Sequence, residues 1–209
     1  MGILLFSFVE LHPCWSSFPG GKVDPIDESV LHAALRETKE EVGIDADKVE
    51  ILGRLGPPTL SLRGLRVWPY VVSPKYCVRV LLRQITPAKA FLHEKPYKSA
   101  LDTDDTSPLP SPPLSSLALS QVEVAGVFHL PLKRLTDPCY IREHQFRGSA
   151  PYWAYDVTNL VAPGIEWSNA GANPNDEVGG GFDGLLEIWG LTGWYLNLFM
   201  KVFLDGRCQ

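Results

Sequence analysis

The chain has 209 residues, with 19 Lys and Arg against 24 Asp and Glu, and therefore a formal net charge of −5 at pH 7. An acidic chain is poorly suited to binding nucleic acid polymers, because that binding needs a basic face. No stretch approaches the roughly 18 apolar residues needed to cross a bilayer, so no membrane partner is expected. The length fits one domain that can bury a core without disulfides or structural metals.

The first predicted element is a strand. Residues 3–9 are apolar, but they lack the basic segment and the cleavage site of a signal peptide and run directly into Glu10. The cysteines are widely spaced, form no CxxC pair and, together with the scattered histidines, show no zinc-site spacing. This cysteine usage predicts a reducing, intracellular compartment. The four positions are Cys14, Cys77, Cys139 and Cys208.

A glycine loop precedes the first predicted helix. Residues 18–22, with the sequence FPGGK, indicate a loop because of their proline and glycines. The segment 27–42 is predicted to be a helix, with Asp27 as its N-cap, Glu28 in its first turn and Gly43 at its end. Its apolar stripe, which includes Leu31 and Leu35, is expected to face the core.

Strands and one further helix make up the rest of the prediction. The predicted strands are 49–55, 65–72, 122–130 and 152–157, with a short helical turn at 131–135 and a buried helix at 185–203. Because these elements show no regular strand–helix alternation, an α+β fold is favoured. The whole chain, 1–209, is assigned to one domain.

Two segments have an irregular composition. Between about residues 92 and 120 the sequence becomes rich in proline and serine, which predicts a disordered insertion within the domain. The glycine tract at 179–181 is not followed by Gly-Lys-Ser/Thr, so it is no phosphate-binding P-loop, and we expect a flexible link there.

The most informative feature is a cluster of carboxylates on the first helix. Glu37, Glu40 and Glu41 stand at positions i, i+3 and i+4 and are therefore neighbours, on the face away from the apolar stripe. Three neighbouring carboxylates repel one another, and a divalent cation such as Mg²⁺ would remove that repulsion. Beside a glycine loop whose amides can face phosphate oxygens, the cluster indicates a site for a metal-bound diphosphate. The alternative is a solvated acidic face with an ordinary Arg36–Glu40 ion pair.

These residues resemble the Nudix box, G-x5-E-x7-R-E-U-x-E-E-x-G-U, in which U is aliphatic. Arg36, Glu37, Glu40, Glu41, Gly43 and Ile44 match it, and Glu28 has the family spacing to Arg36. The sequence departs from the pattern at two points. Thr38 replaces an aliphatic residue, and the interval from Gly21 to Glu28 is one residue longer than in the family.

The longer interval resembles the coenzyme A diphosphatase branch of that family. Further segments match this branch, at 55–58, 66–71, 123–132, 152–153 and 188–192, so the resemblance covers about residues 18–200 apart from the insertion. Branch members carry a longer N-terminal part with an arginine-containing segment before FPGG. Here residues 11–17 stand in that place without the arginine. We therefore expect either a substitute strand from residues 1–17 or a truncated, non-catalytic module.

The resemblance implies an α/β/α sandwich with a mixed sheet, lacking one or more N-terminal strands, and an enzyme that hydrolyses a diphosphate linkage with Mg²⁺ or Mn²⁺. It implies Glu37, Glu40 and Glu41 as metal ligands, with Glu40, Glu41 and Arg36 as catalytic residues. Gly20, Gly21 and Lys22 would bind substrate. Either Glu40 or Glu41 would be the base, with Glu123 a weaker candidate.

The branch implies coenzyme A or a derivative as substrate, cleaved to 3′,5′-ADP and 4′-phosphopantetheine, and a peroxisomal or mitochondrial location. Another nucleoside diphosphate derivative, such as an oxidised nucleotide, NADH or ADP-ribose, is the alternative substrate. Both a monomer and a homodimer are compatible with the sequence. Four aromatic residues could contact such a substrate or belong to the core. They are Trp68, Tyr70, Tyr152 and Trp153. Arginines that could meet a ribose phosphate are Arg63, Arg66, Arg142 and Arg147.

Overall fold

The computed structural model describes residues 2–8, 15–61, 64–74, 113–146, 150–162 and 185–205. In chain order the strands are β1 (Gly2–Phe8), β2 (Trp15–Ser17), β3 (Val49–Arg54), β4 (Thr59–Leu60), β5 (Arg66–Val67), β6 (Tyr70–Pro74), β7 (Val124–Pro131), β8 (Ile141–Phe146), β9 (Ala150–Asp156) and β10 (Glu187–Ile188). The helices are α1 (Val30–Val42) and α2 (Gly190–Asp205). Short 3₁₀ turns occupy Ala46–Lys48, Leu114–Ser116, Leu132–Leu135 and Pro138–Tyr140.

The predicted N-terminal strand exists and lies in the middle of a sheet. β1 pairs antiparallel with β7 from Gly2 opposite Pro131 to Phe8 opposite Val124, and with β2 on its other side. Both edges of β1 are therefore paired. Residues 1–17 therefore do supply a strand beside β7.

A second antiparallel sheet, in the order β10–β9–β8, carries most of the core together with α2. Tyr155, Val157, Ile188 and Leu196 are fully or almost fully buried there. Gly193 allows α2 to approach β9, because a Cβ at this position would overlap the backbone carbonyl oxygen of Trp153. The helix is thus held closer to the sheet than any side chain at position 193 would permit.

Two shorter strand pairs, β3 with β6 and β4 with β5, complete the described strands. The prediction of one strand over 65–72 was wrong in its middle, because Trp68 and Pro69 separate β5 from β6. Pro69 has no N–H with which to continue a ladder, although its carbonyl accepts from the N–H of Leu55 at 3.0 Å. The buried Tyr195 of α2 donates its hydroxyl to the carbonyl of Val67 at 3.3 Å and so attaches β5 to the core helix.

Helix α1 begins three residues later than predicted. Its N-cap is Ser29, whose Oγ accepts from the N–H of His32 at 3.1 Å, rather than Asp27, and Glu28 lies outside the helix. It ends as predicted at Gly43, which has φ of 72° and donates its N–H to the carbonyl of Lys39 at 2.9 Å.

The final helix also begins later than predicted. Residues 185–189 were expected to be helical, but Glu187 and Ile188 pair with β9 as strand β10, and α2 starts at Gly190 with φ of 64°. The strand takes precedence because both residues are buried against the sheet, at 1% and 0% exposure. Local helical periodicity therefore gives way to burial here.

The predicted disordered insertion at about 92–120 lies outside the described residues up to position 112. Its last part is not as predicted, because residues 113–120 form a 3₁₀ turn and pack against the end of α1. The N–H of Ala118 donates to the carbonyl of Val42 at 3.2 Å, and that of Ser120 to the carbonyl of Glu41 at 2.9 Å. The glycine tract at 179–181 also lies outside the described residues.

The α+β class is confirmed. All pairings among the described strands are antiparallel, whereas the expected sheet was mixed. No helix in the described ranges is both long enough and apolar enough to cross a membrane.

Because α2 lies so close to β9, we expect Gly193→Ala to lower the free energy of unfolding, which is the opposite of the usual effect in a helix. Alanine normally stabilises a helix relative to glycine by about 1 kcal/mol. Here the added methyl group would overlap the Trp153 carbonyl, so we expect a net loss of about 2 kcal/mol in the free energy of unfolding, measured in urea. An increase in stability would contradict the tight packing.

Candidate active site

Arg36 is the centre of a network that joins α1 to the loop before it. Its guanidinium donates to both carboxylate oxygens of Asp27, at 3.1 and 3.0 Å, and to the backbone carbonyl of Lys22 at 3.2 Å. On the helix itself it pairs with Glu40 at 2.8 Å and with Glu37 at 3.0 Å. A planar guanidinium can make these contacts simultaneously because its five N–H donors point in fixed directions.

Asp27, not Glu28, is the acidic partner of Arg36 in the loop. The Asp27 side chain has no exposed area and receives a further hydrogen bond from the N–H of Asp24 at 2.8 Å. The hydrogen bond from Arg36 lowers the pKa of Asp27 to about 2. Five residues separate Gly21 from Asp27, so the family interval from glycine to acid is kept, and the additional residue falls between the acid and Arg36.

The glycine loop packs on the carboxylates of α1. The backbone N–H of Gly20 donates to the Glu41 carboxylate. A Cβ on Gly21 would lie 2.5 Å from Cδ of Glu37 and 2.8 Å from its Oε2. The carbonyl of Lys22 is held by Arg36. Gly21 was predicted to allow close approach to phosphates, and the structure adds that it allows close approach to Glu37.

The three glutamates of α1 differ in their environments. Glu40 is about half exposed and held by Arg36, while the side chain of Glu37 is 18% exposed. Glu41 was predicted to lie on the outward face of the helix but is only 3% exposed, and its Oε2 is buried without a hydrogen-bond partner. A buried carboxylate oxygen without a partner is costly unless a proton or a cation satisfies it.

Burial and mutual repulsion make the carboxyl groups of Glu37 and Glu41 hard to ionise. Burial raises the pKa of Glu41 to about 8, against the hydrogen bond from Gly20, and the charges of Glu37, Glu123 and Glu40 raise it further. Burial also raises the pKa of Glu37, although Arg36 partly opposes this. Such a set of carboxylates is suited to binding a cation, because a positive charge would remove the strain on all of them.

Glu123 joins the cluster from a distant part of the sequence. It ends the turn before β7, and its charge acts on both Glu37 and Glu41. Sequence reasoning gave it little weight because a lone glutamate before an apolar strand is more often structural. The available signal was its position at the start of a strand that follows a long insertion.

Other residues considered for substrate contact have structural partners. Arg142 forms an ion pair with the buried Glu187, with Nε 2.7 Å from Oε1. Tyr152 is buried, and the ring of Trp153 lies under Lys201 at 4.8 Å. Trp68 lies under Arg54 at 5.0 Å, while Tyr70 and the exposed Arg66 have no assigned role. Arg63 and Arg147 lie outside the described residues.

A complete set of metal ligands is not already assembled. Among the described residues no three carboxylate, imidazole or thiol groups converge in a way that could hold an ion. The reason is that Arg36 holds Glu37 and Glu40 as ion-pair partners. The donor set nevertheless fits a hard cation, since it offers carboxylate oxygens, and one of them, on Glu41, is buried and unpartnered.

The pairing of Arg36 with Asp27 rather than with its neighbour Glu28 can be tested. We expect Asp27→Asn to lower the melting temperature at pH 7 by roughly 5 °C and Glu28→Gln to leave it unchanged. The pKa of Asp27 is depressed, so its contribution is present above its unfolded value of 3.8 and is lost as the pH falls through about 2. The difference between Asp27→Asn and wild type should therefore shrink between pH 4 and pH 2. Equal losses for the two variants would contradict the assignment.

The buried carboxyl of Glu41 predicts the opposite pH dependence. Its pKa is raised from 4.5 to about 8, so folding favours its protonated form, and its destabilising effect grows as the pH rises between these values. We expect Glu41→Gln to stabilise the metal-free protein by about 3 kcal/mol more at pH 8 than at pH 5, measured by urea unfolding. Glu143→Gln, at an exposed position of β8, controls for the loss of one carboxylate. A gain that is equal at the two pH values would contradict the burial of Glu41.

Comparison with known proteins finds similarity over the N-terminal third of the chain. The Nudix domain model matches residues 3–72. The chain is 49% identical over 65 residues to "Uncharacterized Nudix hydrolase NudL" of Enterobacter sp. (strain 638), covering 31% of this chain and 33% of that protein. Proteins with the same description in Escherichia fergusonii and Yersinia enterocolitica are 53% and 51% identical over 55 residues, each covering 26% of this chain and 28% of the relative.

These matches are strong but local. The chain spans about a third of the length of the curated relatives that it matches. The matched residues include the glycine loop, α1 and the strand β3 that follows, which are the elements that place Arg36 and the glutamates. Over these residues the chain is therefore similar to Nudix domains.

Proposed function

We propose that the protein is a divalent-metal-dependent hydrolase of a diphosphate linkage, with coenzyme A or one of its derivatives as substrate. The products would be 3′,5′-ADP and 4′-phosphopantetheine. The ion would be Mg²⁺ or Mn²⁺, held by Glu37, Glu40 and Glu41. Glu40, Glu41 and Arg36 would be the catalytic residues, and Gly20, Gly21 and Lys22 would contact the substrate.

One observation carries the proposal. Glu41 is 3% exposed, has a buried oxygen without a partner and is surrounded by the charges of three other glutamates. A purely structural helix would gain by replacing this carboxylate with an apolar or amide side chain. A cation site explains why the carboxylate is there, and the adjacent glycine loop leaves room for phosphate oxygens.

The reaction adds the elements of water across the P–O–P linkage. The water oxygen forms a bond to one phosphorus, and the bridging oxygen leaves with the other phosphoryl group. When bound, the ion would screen the charge of the phosphate oxygens and acidify water. A carboxylate accepts the water proton, and Glu40 or Glu41 is suited to this role because both belong to the cluster. Glu123 remains the weaker candidate.

Arg36 acts by holding the frame of the site. It ties the glycine loop to α1 through Asp27 and the Lys22 carbonyl, and it restrains Glu37 and Glu40. Lys22 itself is exposed at the end of that loop, where its ammonium group can meet a diphosphate. Positioning of this kind supplies much of the catalysis in phosphoryl transfer, because the transition state demands charge neutralisation and alignment.

Resemblance supports coenzyme A as the substrate. The segments at 55–58, 66–71, 123–132, 152–153 and 188–192 resemble the coenzyme A diphosphatase branch. The relatives are named Nudix hydrolases, which supports hydrolysis of a diphosphate linkage. The choice of coenzyme A as the substrate rests on the resemblance alone.

The chemistry predicts a clear loss for Glu40→Gln. This change keeps the size of the side chain but removes a proposed metal ligand and candidate base. The rate of 3′,5′-ADP release from coenzyme A in the presence of Mg²⁺ can be measured by chromatography. For Glu40→Gln we expect this rate to be at least roughly 100-fold lower than for wild type. Glu143→Gln should retain wild-type activity, since residue 143 is exposed on β8. Equal rates for wild type and Glu40→Gln would exclude the site.

A substrate panel decides the remaining question. Coenzyme A, an acyl-coenzyme A, ADP-ribose, NADH and an oxidised nucleoside triphosphate would be compared at equal concentration with Mg²⁺ and with Mn²⁺. Preference for the coenzyme A compounds supports the proposal. Preference for another compound would show that the proposed substrate is wrong but that diphosphate hydrolysis is right. A folded protein that cleaves none of them would be a non-catalytic module.

A further inference from the structure

Ser120 connects two parts of the candidate site that are far apart in the sequence. Its N–H donates to the carbonyl of Glu41, at the end of α1, at 2.9 Å. Its hydroxyl Oγ donates to Oε2 of Glu123 at 3.2 Å. Ser120 is thus hydrogen-bonded through its backbone to Glu41 and through its side chain to Glu123.

The turn that follows Ser120 is fixed at both ends. The carbonyl of Ser120 accepts from the N–H groups of Glu123 and Val124, at 3.3 and 2.9 Å. Val124 is 5% exposed and begins β7, the strand paired with β1. On the other side, Ala118 and Gly43 are packed so closely that a Cβ on Gly43 would lie 2.7 Å from the Cβ of Ala118. The turn is therefore held between α1 and the sheet that contains β1 and β7.

Glu123 needs such a restraint. Its side chain is exposed, and an exposed glutamate samples many rotamers unless a partner holds it. Its charge acts on Glu37 and Glu41, so its orientation decides how strongly a fourth negative charge contributes to the cluster.

We propose that Ser120 is a positioning residue that holds the Glu123 carboxylate beside the three glutamates of α1, so that four carboxylates rather than three attract the divalent cation. This inference rests on the proposed function, since it concerns the same cation. It assigns a role to the segment that follows the insertion: residues 113–123 deliver a carboxylate to the Nudix helix.

The test measures Mn²⁺ binding to the substrate-free protein by electron paramagnetic resonance of the free ion. Ser120→Ala keeps the backbone bonds and removes only the hydroxyl, and we expect the affinity for Mn²⁺ to fall roughly three- to tenfold. The matched control is Ser116→Ala, which removes a comparable hydroxyl bond in the same segment, from Oγ to the carbonyl of Pro113 at 2.7 Å. This control and Ser120→Thr should bind Mn²⁺ as wild type does.

A double variant separates positioning of Glu123 from a general structural effect. In the Glu123→Gln background, Ser120→Ala should cause no further loss of Mn²⁺ affinity, because the charge that it positions is already gone. An equal loss in both backgrounds, or a loss matched by Ser116→Ala, would overturn the inference. If Ser120→Ala does not fold, Glu123→Asp is measured in its place. The shorter aspartate side chain keeps the negative charge but no longer reaches the Ser120 hydroxyl, so the same loss of Mn²⁺ affinity is expected.

Failure of the inference and failure of the proposed function give different results. If Glu40→Gln binds Mn²⁺ as wild type does and retains activity, the cation site itself is wrong. If Glu40→Gln loses both while Ser120→Ala behaves like Ser116→Ala, the cation site stands and Ser120 has no part in it.

Discussion

The contacts of Arg36 hold the site together. A single guanidinium group binds Asp27 and the Lys22 carbonyl on the loop, and Glu37 and Glu40 on the helix. Its side chain is only 14% exposed, so these bonds are shielded from water and from salt more than a surface ion pair would be. Without Arg36, few contacts would hold the loop against a helix face that carries three carboxyl groups.

The proposed divalent cation would compete with Arg36 for the same carboxylates. Glu37 and Glu40 each form an ion pair with Arg36, and their carboxylates could not keep these contacts in full while binding an ion. In the metal-free protein Arg36 neutralises part of the cluster, and Glu41 relieves the rest by favouring its protonated form. Binding of the proposed ion would therefore involve release of a proton and a change of partner, so its affinity would depend on pH.

Much of the fold and of the candidate site could be predicted from the sequence. The apolar run at the N-terminus, the glycine that ends α1 and the strand β9 follow from local patterns and were predicted. The three glutamates on one helix could be read from their spacing. What local patterns could not give was the choice between Asp27 and Glu28, since both are acidic and near the helix start. Only packing decides which of them reaches Arg36 and which faces water.

The remaining differences have the same physical origin. Glu41 was expected on the outer face, but residues 113–120 and the glycine loop cover it, and neither contact is visible in the helix sequence. Glu187 and Ile188 continue a helical pattern but pair with β9 because the sheet offers them burial. Contacts between residues far apart in sequence override local preference in both cases.

Gly21 has a consequence for how genetic variation at this site should be read. A Cβ added at this position would overlap the Glu37 carboxylate, so a methyl group there would displace that side chain. In a survey of all substitutions, changes at position 21 would therefore disturb a proposed metal ligand, although residue 21 itself carries no functional group. Intolerance to substitution at a glycine can thus mark the place where a neighbouring carboxylate must remain, and a selection experiment alone would not separate the two.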